Sequence, residues 1–334
     1  MRGKSRVFHS REKFLFEKKA FFSGVNGAWH VRIVERIRVY PESVRFMKQA
    51  ALVLQGGGAR GIYVAGVLDA LMEEGFVFPF VYGTSAGALC ATGLLSNQIG
   101  RNKEVVLRGM PNKRFASVKN FLKTKNFFDF DWLFHEFSRN ELPFDEEAFW
   151  NSPIDFYAAA TGFKDGKVHY FRKKDFPDVA SFYPAIAASS SLPLIAKPVE
   201  VNGELYLDGG PVCAIPYRKP IEDGHEKIVV VSTRDLAYRK KPMKGSKARL
   251  GKWMYRKHPE FLKAYLDTNE EYNRELIEIA ELEKKGRIFV IRPSVALSIK
   301  ATTKDVEVLS AAYELGKQDC LKRLEGLRRY LSDE

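Results

Sequence analysis

The stretch AALVLQGGGARGIYVAGVLDALMEEG, residues 50–75, is followed directly by FVFPFVYGTSAGALCATGLLSNQ, residues 76–98. The opening AALVLQ is an apolar run of strand length, as expected for a strand that is buried on both faces. After the glycines, apolar residues recur at helical spacing until Gly75 ends the helix. A second strand and a second, apolar helix that begins at Ser85 follow. Two strand–turn–helix units in succession predict an α/β layered fold with a parallel sheet.

The rest of the chain continues this alternation. Residues 101–150 are first basic and then aromatic, and their pattern predicts short amphipathic helices that cap the site. Downstream, the pattern predicts a pair of strands, a helix, two more strands and two long charged helices on either side of a last strand. These elements are IDFYAAATGF (154–163) with KVHYFR (167–172), DVASFYPAIAASSS (178–191), ELYLDGG (204–210), KIVVVST (227–233), and the helices 259–285 and 304–331 around RIFVIRP (287–293).

The charge and composition suggest three regions. The chain has 334 residues, 45% of them hydrophobic, and a formal net charge of +13. Residues 1–46 hold eleven Lys and Arg against four Glu and show no sustained period, so we expect a poorly ordered basic tail. We expect the main domain over 47–235, and over 236–334 a basic segment and a helical region packed on that domain. Basic proteins bind nucleic acid, anionic lipid or acidic substrates, but no nucleic-acid-binding module is recognisable, so we expect no nucleic acid partner.

The cysteines and the hydropathy pattern indicate the cellular compartment of the protein. Three widely separated cysteines, Cys90, Cys213 and Cys320, suggest neither a disulfide framework nor a zinc site, and we expect no metal or cofactor. No run approaches the roughly 18–20 apolar residues of a membrane helix, and charges interrupt any signal-peptide core. We expect a cytoplasmic protein. The segment 238–257, with nine Lys and Arg and no acid, is either a peripheral contact with anionic membrane or a solvated loop.

The first chemical motif is Gly56-Gly57-Gly58-Ala59-Arg60-Gly61, between the first strand and its helix. Consecutive glycines let backbone N–H groups converge on one point, and the helix N-terminus adds positive potential there. Such a turn holds either the pyrophosphate of a dinucleotide or the oxyanion of acyl transfer. The dinucleotide site requires an acidic residue at the end of the second strand, about 20 residues on. That strand ends in YGTSAG instead, which disfavours the dinucleotide interpretation.

The second motif, Gly83-Thr84-Ser85-Ala86-Gly87, has the form of a serine elbow between a strand and a helix. The two glycines satisfy the steric need of a sharp turn and of close packing between helix and strand. Ser85 would then stand exposed at the helix N-terminus as a nucleophile. The alternative is a serine that only caps the helix.

A nucleophilic serine needs a base, and no histidine is an obvious partner. An α/β-hydrolase triad follows the order Ser, Asp or Glu, His. The histidines after Ser85 are His135, His169, His225 and His258. Only His225 and His258 follow a suitable acid such as Asp208, and neither lies in a recognisable catalytic loop. A conventional Ser-His-Asp esterase therefore stays open as an alternative.

The third motif is LYLDGG, in which Asp208-Gly209-Gly210 ends a strand. Taken alone, an Asp before paired glycines is typical of a turn. With GGGARG and GTSAG in this order, however, the chain from about residue 50 to 232 resembles the patatin-like phospholipase family. The three motifs match that family's oxyanion glycines, nucleophile elbow and catalytic aspartate. The resemblance implies a three-layer sandwich with a mainly parallel central sheet and a helical C-terminal elaboration.

The resemblance also implies the chemistry. Ser85 would attack an ester carbonyl, Asp208 would accept its proton directly, and water activated by Asp208 would hydrolyse the acyl-enzyme. The substrate would be a phospholipid or another acyl-ester lipid. The implied oxyanion hole comprises Gly56, Gly57, Gly58 and Arg60, and the supporting motif glycines are Gly61, Gly83, Gly87, Gly209 and Gly210. Arg60 would either brace the loop or attract a headgroup phosphate.

The chain departs from the plant form of the pattern at one position. Gln55 stands where that form has an Asp before the glycines, so no role is assigned to this position. The alternative outside catalysis is a catalytically silent protein that binds a lipid or a nucleotide.

Overall fold

The computed structural model describes residues 15–25, 28–38 and 50–332. The first two segments are strands β1 Leu15–Val25 and β2 Ala28–Arg38, which pair antiparallel as a hairpin. The sequence shows no strand period there and did not predict this hairpin. The other residues of the segment 1–46 lie outside the described residues, so a poorly ordered tail stays a prediction.

The main body is built on an eight-stranded sheet in the order β10-β9-β3-β4-β5-β8-β7, with β6 also paired to β5. From β10 to β5 neighbouring strands are parallel, whereas β6, β7 and β8 pair antiparallel. The prediction of a mainly parallel sheet is confirmed, and the antiparallel edge is an addition to it. The strands are β3 Ala50–Leu54, β4 Phe80–Thr84, β5 Asp155–Gly162, β6 Val168–Arg172, β7 Val199–Val201, β8 Glu204–Asp208, β9 Lys227–Val231 and β10 Ile288–Ile291.

The helices confirm most of the elements predicted from the sequence pattern. They are α1 Gly61–Glu73, α2 Ala86–Leu95, α3 Arg101–Gly109, α4 Val118–Thr124, the π-helix Trp132–Glu141, α5 Glu146–Trp150, α6 Val179–Ser190, α7 Arg218–Glu222, α8 Gly245–Met254, α9 Pro259–Lys284 and α10 Val306–Leu331, with short 3-10 turns at Gly58–Arg60 and Lys173–Asp175. The sequence did not predict α8, which lies inside the basic segment 238–257.

Helices cover both faces of the sheet, as the unbroken apolar pattern of β3 predicts. Leu52 and Leu54 face the core formed with α1, α2, α6 and α10. Val53 faces the opposite core, which includes Tyr272 and Ile279 of α9. Burying such a side chain contributes about 1.5–3 kcal/mol, so both layers stabilise the strand that precedes the glycine loop.

The C-terminal region belongs to this body. β10 extends the sheet beside β9, and α10 packs along α1. The α1–α10 contact is close, because a Cβ added at Gly66 would lie 2.1 Å from the carbonyl oxygen of Tyr313. Within residues 50–332, no helix has the length and apolar character needed to cross a membrane.

Candidate active site

Ser85 follows the end of β4 in a backbone conformation that is rare for a side-chain-bearing residue, with φ 54° and ψ −125°. Such a conformation is strained and persists only where its surroundings fix it. Here Ser189 fixes it, since its Oγ accepts a hydrogen bond from the Ser85 amide at 2.9 Å and donates one to the Ala159 carbonyl at 2.7 Å. The only sequence signal for Ser189 was the serine run that ends helix α6.

The motif glycines allow this tight arrangement. A Cβ added at Gly83 would lie 2.8 Å from Ala88 Cα, one at Gly87 2.3 Å from the Leu54 carbonyl oxygen, and one at Gly209 2.5 Å from the Ala159 carbonyl oxygen. At Gly61 it would lie 2.7 Å from Ala86 Cβ. Helices α1 and α2 can therefore approach the strand ends only because these positions carry no side chain.

Strand register brings Asp208 to the level of Ser85. Thr84 of β4 lies opposite Ala159 of β5, and the next residue, Ala160, lies opposite Asp208 of β8. Asp208 is 2% exposed. The Gly210 amide donates to its Oδ1 at 2.7 Å, whereas Oδ2 has no hydrogen-bond partner of regular geometry in the part of the chain that the structure describes.

Burial raises the pKa of the Asp208 carboxyl to about 6, and three smaller effects oppose it. These are a hydrogen-bonding interaction with the Ser85 side chain, the hydrogen bond from the Gly210 amide, and the positive charge of Lys240. The Ser85 hydroxyl is thus the near neighbour of the buried carboxyl. A carboxylate with this pKa is a better proton acceptor at neutral pH than an ordinary aspartate with a pKa of about 3.9.

In the glycine loop, some backbone amides already donate a hydrogen bond within the protein and others do not. Gly56 N–H donates to the Ala214 carbonyl at 3.0 Å, and Ala59 N–H donates to the Ala301 carbonyl at 2.9 Å. Across the described ranges, no backbone acceptor is found for the amides of Gly57 and Gly58. Gly58 has a φ of +56°, a left-handed conformation that favours glycine. The available donors of the loop are therefore those of Gly57 and Gly58.

The Arg60 side chain packs against this loop and does not extend into solvent. Its Nη1 donates to the Ile299 carbonyl at 3.1 Å, and its Nε is buried with no hydrogen-bond partner among residues 50–332. Burial and the neighbouring Arg234 lower the pKa of Arg60 to about 10, so the guanidinium stays charged at neutral pH. It adds positive potential near Gly57, because a Cβ added there would lie 3.3 Å from Arg60 Nε.

Gln55 has a clear structural role. It is 2% exposed, and its Oε1 accepts hydrogen bonds from Ser232 Oγ at 2.7 Å and from the Thr233 amide at 2.9 Å. Its Nε2 donates to the Tyr272 hydroxyl at 2.9 Å. An amide, which both accepts and donates, ties the end of β3 to β9 and to α9 just before the glycine loop begins.

The histidines that were candidate bases have other contacts. His169 pairs with Asp165 at 2.9 Å, and the ring of His135 lies edge-on to Tyr183. His225 Nε2 lies 3.1 Å from the Tyr82 hydroxyl and precedes β9, so it is at the amino edge of the parallel strands, opposite Ser85. The His258 ring packs on Phe163 at 4.0 Å.

An apolar cavity opens at Ser85. Its empty space is about 930 Å³ when the solvent-filled mouth is included, and it runs along one face of α2 through Leu89 to Thr92. Seven residues of helix span about 10 Å, so the cavity reaches at least that far from Ser85. Ser190, whose buried hydroxyl has no partner within 50–332, also lines it. The remaining walls are mainly apolar and include Val105, Val106, Met110, Phe115, Phe128, Phe130, Leu133 and Phe134.

Two family models match the chain. The model of the patatin-like phospholipase family matches residues 52–219, which contain all three motifs. A second model, Domain of unknown function (DUF6363), matches residues 258–332. The second region therefore contains α9, β10 and α10.

Individual relatives give the same picture. "Uncharacterized protein YjjU" of Escherichia coli (strain K12) is 30% identical over 275 residues, covering 80% of this chain and 74% of the relative. "Lysophospholipase NTE1" of Saccharomyces cerevisiae is 31% identical over 195 residues, covering 54% of this chain but only 10% of the yeast protein. The solved structure of VipD from Legionella pneumophila aligns at a TM-score of 0.45 and 16% identity over 98% of this chain and 72% of that one, a likeness too low to support an argument.

The match of the family model to about half of the chain and the similarity to YjjU over most of both proteins agree with the three motifs. The chain belongs to the patatin-like phospholipase family.

Proposed function

We propose that the protein is a lipid acyl hydrolase that uses a Ser85–Asp208 dyad. The observation that carries this proposal is the strained, buried Ser85 beside the buried Asp208 carboxyl, at an apolar cavity. Nucleophile, base and a water-poor binding site are the elements that ester hydrolysis through an acyl-enzyme requires.

The reaction proceeds in two halves. Ser85 Oγ attacks the ester carbonyl carbon while Asp208 takes the hydroxyl proton, and the tetrahedral oxyanion accepts hydrogen bonds from the Gly57 and Gly58 amides. The intermediate collapses, the alcohol leaves with the proton from Asp208, and an acyl-enzyme remains. Asp208 then deprotonates a water that attacks the acyl carbonyl, which releases a fatty acid and restores Ser85.

In this mechanism the implied members of the oxyanion hole have different tasks. Gly56 shapes the loop, because its amide is bonded to Ala214 and a Cβ there would lie 3.0 Å from Ser85 Cβ. Arg60 braces the loop through Ile299 and supplies positive potential that favours the oxyanion.

The dyad is favoured over a Ser-His-Asp triad. Each histidine after Ser85 contacts another side chain, and His225 lies at the opposite edge of the sheet. The raised pKa of Asp208 supplies the basicity that a histidine would otherwise provide.

The cavity favours lipid esters as substrates. A chain that extends from Ser85 along α2 would contact mainly apolar side chains, with Thr92, Arg101 and Asn102 among the polar exceptions. Relatives named lysophospholipase match about half of this chain, so phospholipids and lysophospholipids are the substrates we expect to be hydrolysed best.

The test is active-site labelling followed by a substrate screen. A fluorophosphonate probe should label the wild-type protein and not Ser85→Ala, because only an activated serine reacts. The unlabelled wild-type protein should also release fatty acid from phospholipid, lysophospholipid or acylglycerol. No labelling together with no hydrolysis of any lipid would support the silent lipid- or nucleotide-binding alternative instead.

We further propose reversible contact with anionic membranes through α8. Leu250 and Trp253, three residues apart on this helix, are 45% and 65% exposed. Lys247 and Lys252 beside them are also exposed, and the segment 238–257 contains no acidic residue. Exposed apolar side chains among cations are typical of helices that lie in a membrane interface.

Liposome sedimentation checks this contact. The protein should pellet with vesicles that contain phosphatidylserine and much less with pure phosphatidylcholine, and high salt should weaken the binding, since each cation contributes about 1 kcal/mol near the surface. Trp253→Ser should lower the bound fraction, whereas Val168→Ser, another exposed apolar side chain outside the segment, should not. Equal binding to both vesicle types would contradict the proposal.

A further inference from the structure

We propose that residues 297–301, within the region that matches the domain of unknown function, position the oxyanion loop and so complete the active site. This inference rests on the proposed hydrolase function. It assigns a positioning role to a part of the chain that lies outside the patatin-like match, which ends at residue 219.

The 297–301 segment contacts three consecutive residues of the glycine loop, Gly58, Ala59 and Arg60. The Ala301 carbonyl accepts a hydrogen bond from the Ala59 amide at 2.9 Å, and the Ile299 carbonyl accepts one from Arg60 Nη1 at 3.1 Å. At Gly58 the contact is steric, since an added Cβ would lie 2.6 Å from the Ala301 oxygen and 2.8 Å from its Cβ. One segment therefore limits the position of the whole Gly58–Arg60 turn.

The segment is itself held firmly. Leu297 and Ile299 are 9% and 4% exposed and pack in the main core. Arg234 Nη1 reaches the Leu297 carbonyl at 3.5 Å. The Lys300 amide donates to Thr303 Oγ1 at 2.9 Å and the Thr303 amide to the Lys300 carbonyl at 3.2 Å, which closes a turn around Ala301. Alternate residues are anchored in the core, so the segment acts as a rigid support.

This support determines which amides remain available. Because Ala59 N–H is bonded to Ala301, the loop cannot turn that amide toward the substrate, and the preceding amides of Gly57 and Gly58 are left without backbone partners. Oxyanion donors act only when they lie about 2.7–3.1 Å from the developing charge, so a small shift of the loop should weaken transition-state binding. Residues 297–301 are thus positioning residues and do not touch the reacting atoms.

The test is Ala301→Leu, with Thr302→Leu as the matched control. Ala301 Cβ lies next to Gly58, so we expect a larger side chain there to crowd the loop, whereas Thr302 is exposed and next in sequence. For Ala301→Leu we expect kcat to fall roughly 10- to 100-fold, less than the 100- to 1000-fold typical of a lost oxyanion donor. KM should change by less than about threefold, because the acyl cavity is intact. Thr302→Leu should match the wild-type protein.

A second measurement separates positioning from general loss of structure. Affinity for a trifluoromethyl ketone, which forms a tetrahedral oxyanion adduct with a serine nucleophile, should fall by about the same factor as kcat/KM. Affinity for a non-reactive fatty alcohol of equal chain length should not change. Replacing Ala59 by lactic acid removes the N–H donor to Ala301, besides making the Gly58 carbonyl a weaker acceptor, and should lower kcat in the same way, even where Ala301→Leu fails to fold.

Two outcomes distinguish this inference from the proposed function. If the wild-type protein hydrolyses lipid esters but folded Ala301→Leu or the Ala59 ester variant retains wild-type kcat, the positioning role is wrong and the hydrolase stands. If the wild-type protein neither reacts with fluorophosphonate nor hydrolyses any ester, the proposed function and this inference are both wrong.

Discussion

Asp208→Asn should lower kcat for ester hydrolysis by about 10³- to 10⁴-fold or more, the range expected when a catalytic base or a member of a nucleophile–base unit is removed. Asparagine keeps the shape of the side chain and can still accept the hydrogen bond from the Gly210 amide, but it cannot take the proton of Ser85. Ser85→Ala should lose at least as much, because no acyl-enzyme can form.

The fold should survive Asp208→Asn. The folded-state pKa of this carboxyl is about 6, above the value near 3.9 of an unfolded aspartate, so ionisation in the folded state disfavours folding. Its contribution to stability is full at low pH and is lost as pH rises through about 6. At pH 7 the ionised group therefore costs on the order of 2–3 kcal/mol, which asparagine removes. Urea denaturation at pH 7 should place the variant at or above the wild-type midpoint.

The pH profile gives an independent check of the base. In the wild-type protein kcat/KM should rise with pH through about 6 and then level off, because only the ionised Asp208 can accept the proton. His225→Gln and His258→Gln serve as the matched controls and should keep measurable activity with the same acid limb. Complete loss of activity in either folded histidine variant would refute the dyad and favour a Ser-His-Asp triad.

The sequence was most informative where the signal is local. The apolar run at Ala50–Leu54, the glycines at 56–58 and the elbow at Ser85 each depend on neighbours within a few residues, and they predicted the two strand–turn–helix units correctly. Asp208 was identified only through the resemblance to a family. Its position beside Ser85 depends on the pairing of β8 with β5, two strands that are distant in the sequence.

The supporting residues could not be read from the sequence. Ser189 holds the Ser85 amide across 104 residues, and Ala301 bonds Ala59 from the far end of the chain. Neither contact leaves a periodic or motif signal, because a serine hydroxyl or a backbone carbonyl serves equally well in many surroundings. The antiparallel edge strand β7 has three residues, too few to show alternation. Helix α8 was missed because it begins with Gly245 and Ser246 and contains Gly251, and glycine disfavours a helix in the sequence pattern.

The close crossing of α1 and α10 is where a single methyl group should have the largest effect on stability. A Cβ added at Gly316 of α10 would lie 2.3 Å from the Tyr63 carbonyl oxygen of α1, a backbone atom that cannot move away alone. The helices would have to separate, which would stretch two buried hydrogen bonds between them, Tyr313 hydroxyl to Asp69 at 2.7 Å and Tyr63 hydroxyl to Asp319 at 3.2 Å. Gly316→Ala should therefore lower the free energy of unfolding by about 3 kcal/mol or more.

Gly326→Ala is the matched control in the same helix. Its added Cβ would lie 3.5 Å from Phe289, an ordinary contact, so replacing glycine by alanine should be neutral or should stabilise the helix by up to about 1 kcal/mol. Thermal and urea unfolding of both variants measures the difference in their free energies of unfolding. Activity should be lost together with the folded structure in Gly316→Ala but not in Gly326→Ala. Since α1 begins at the glycine loop and α10 follows the 297–301 segment, the crossing joins the C-terminal helix to that loop. Equal unfolding midpoints for the two variants would mean that α10 does not pack on α1 this closely.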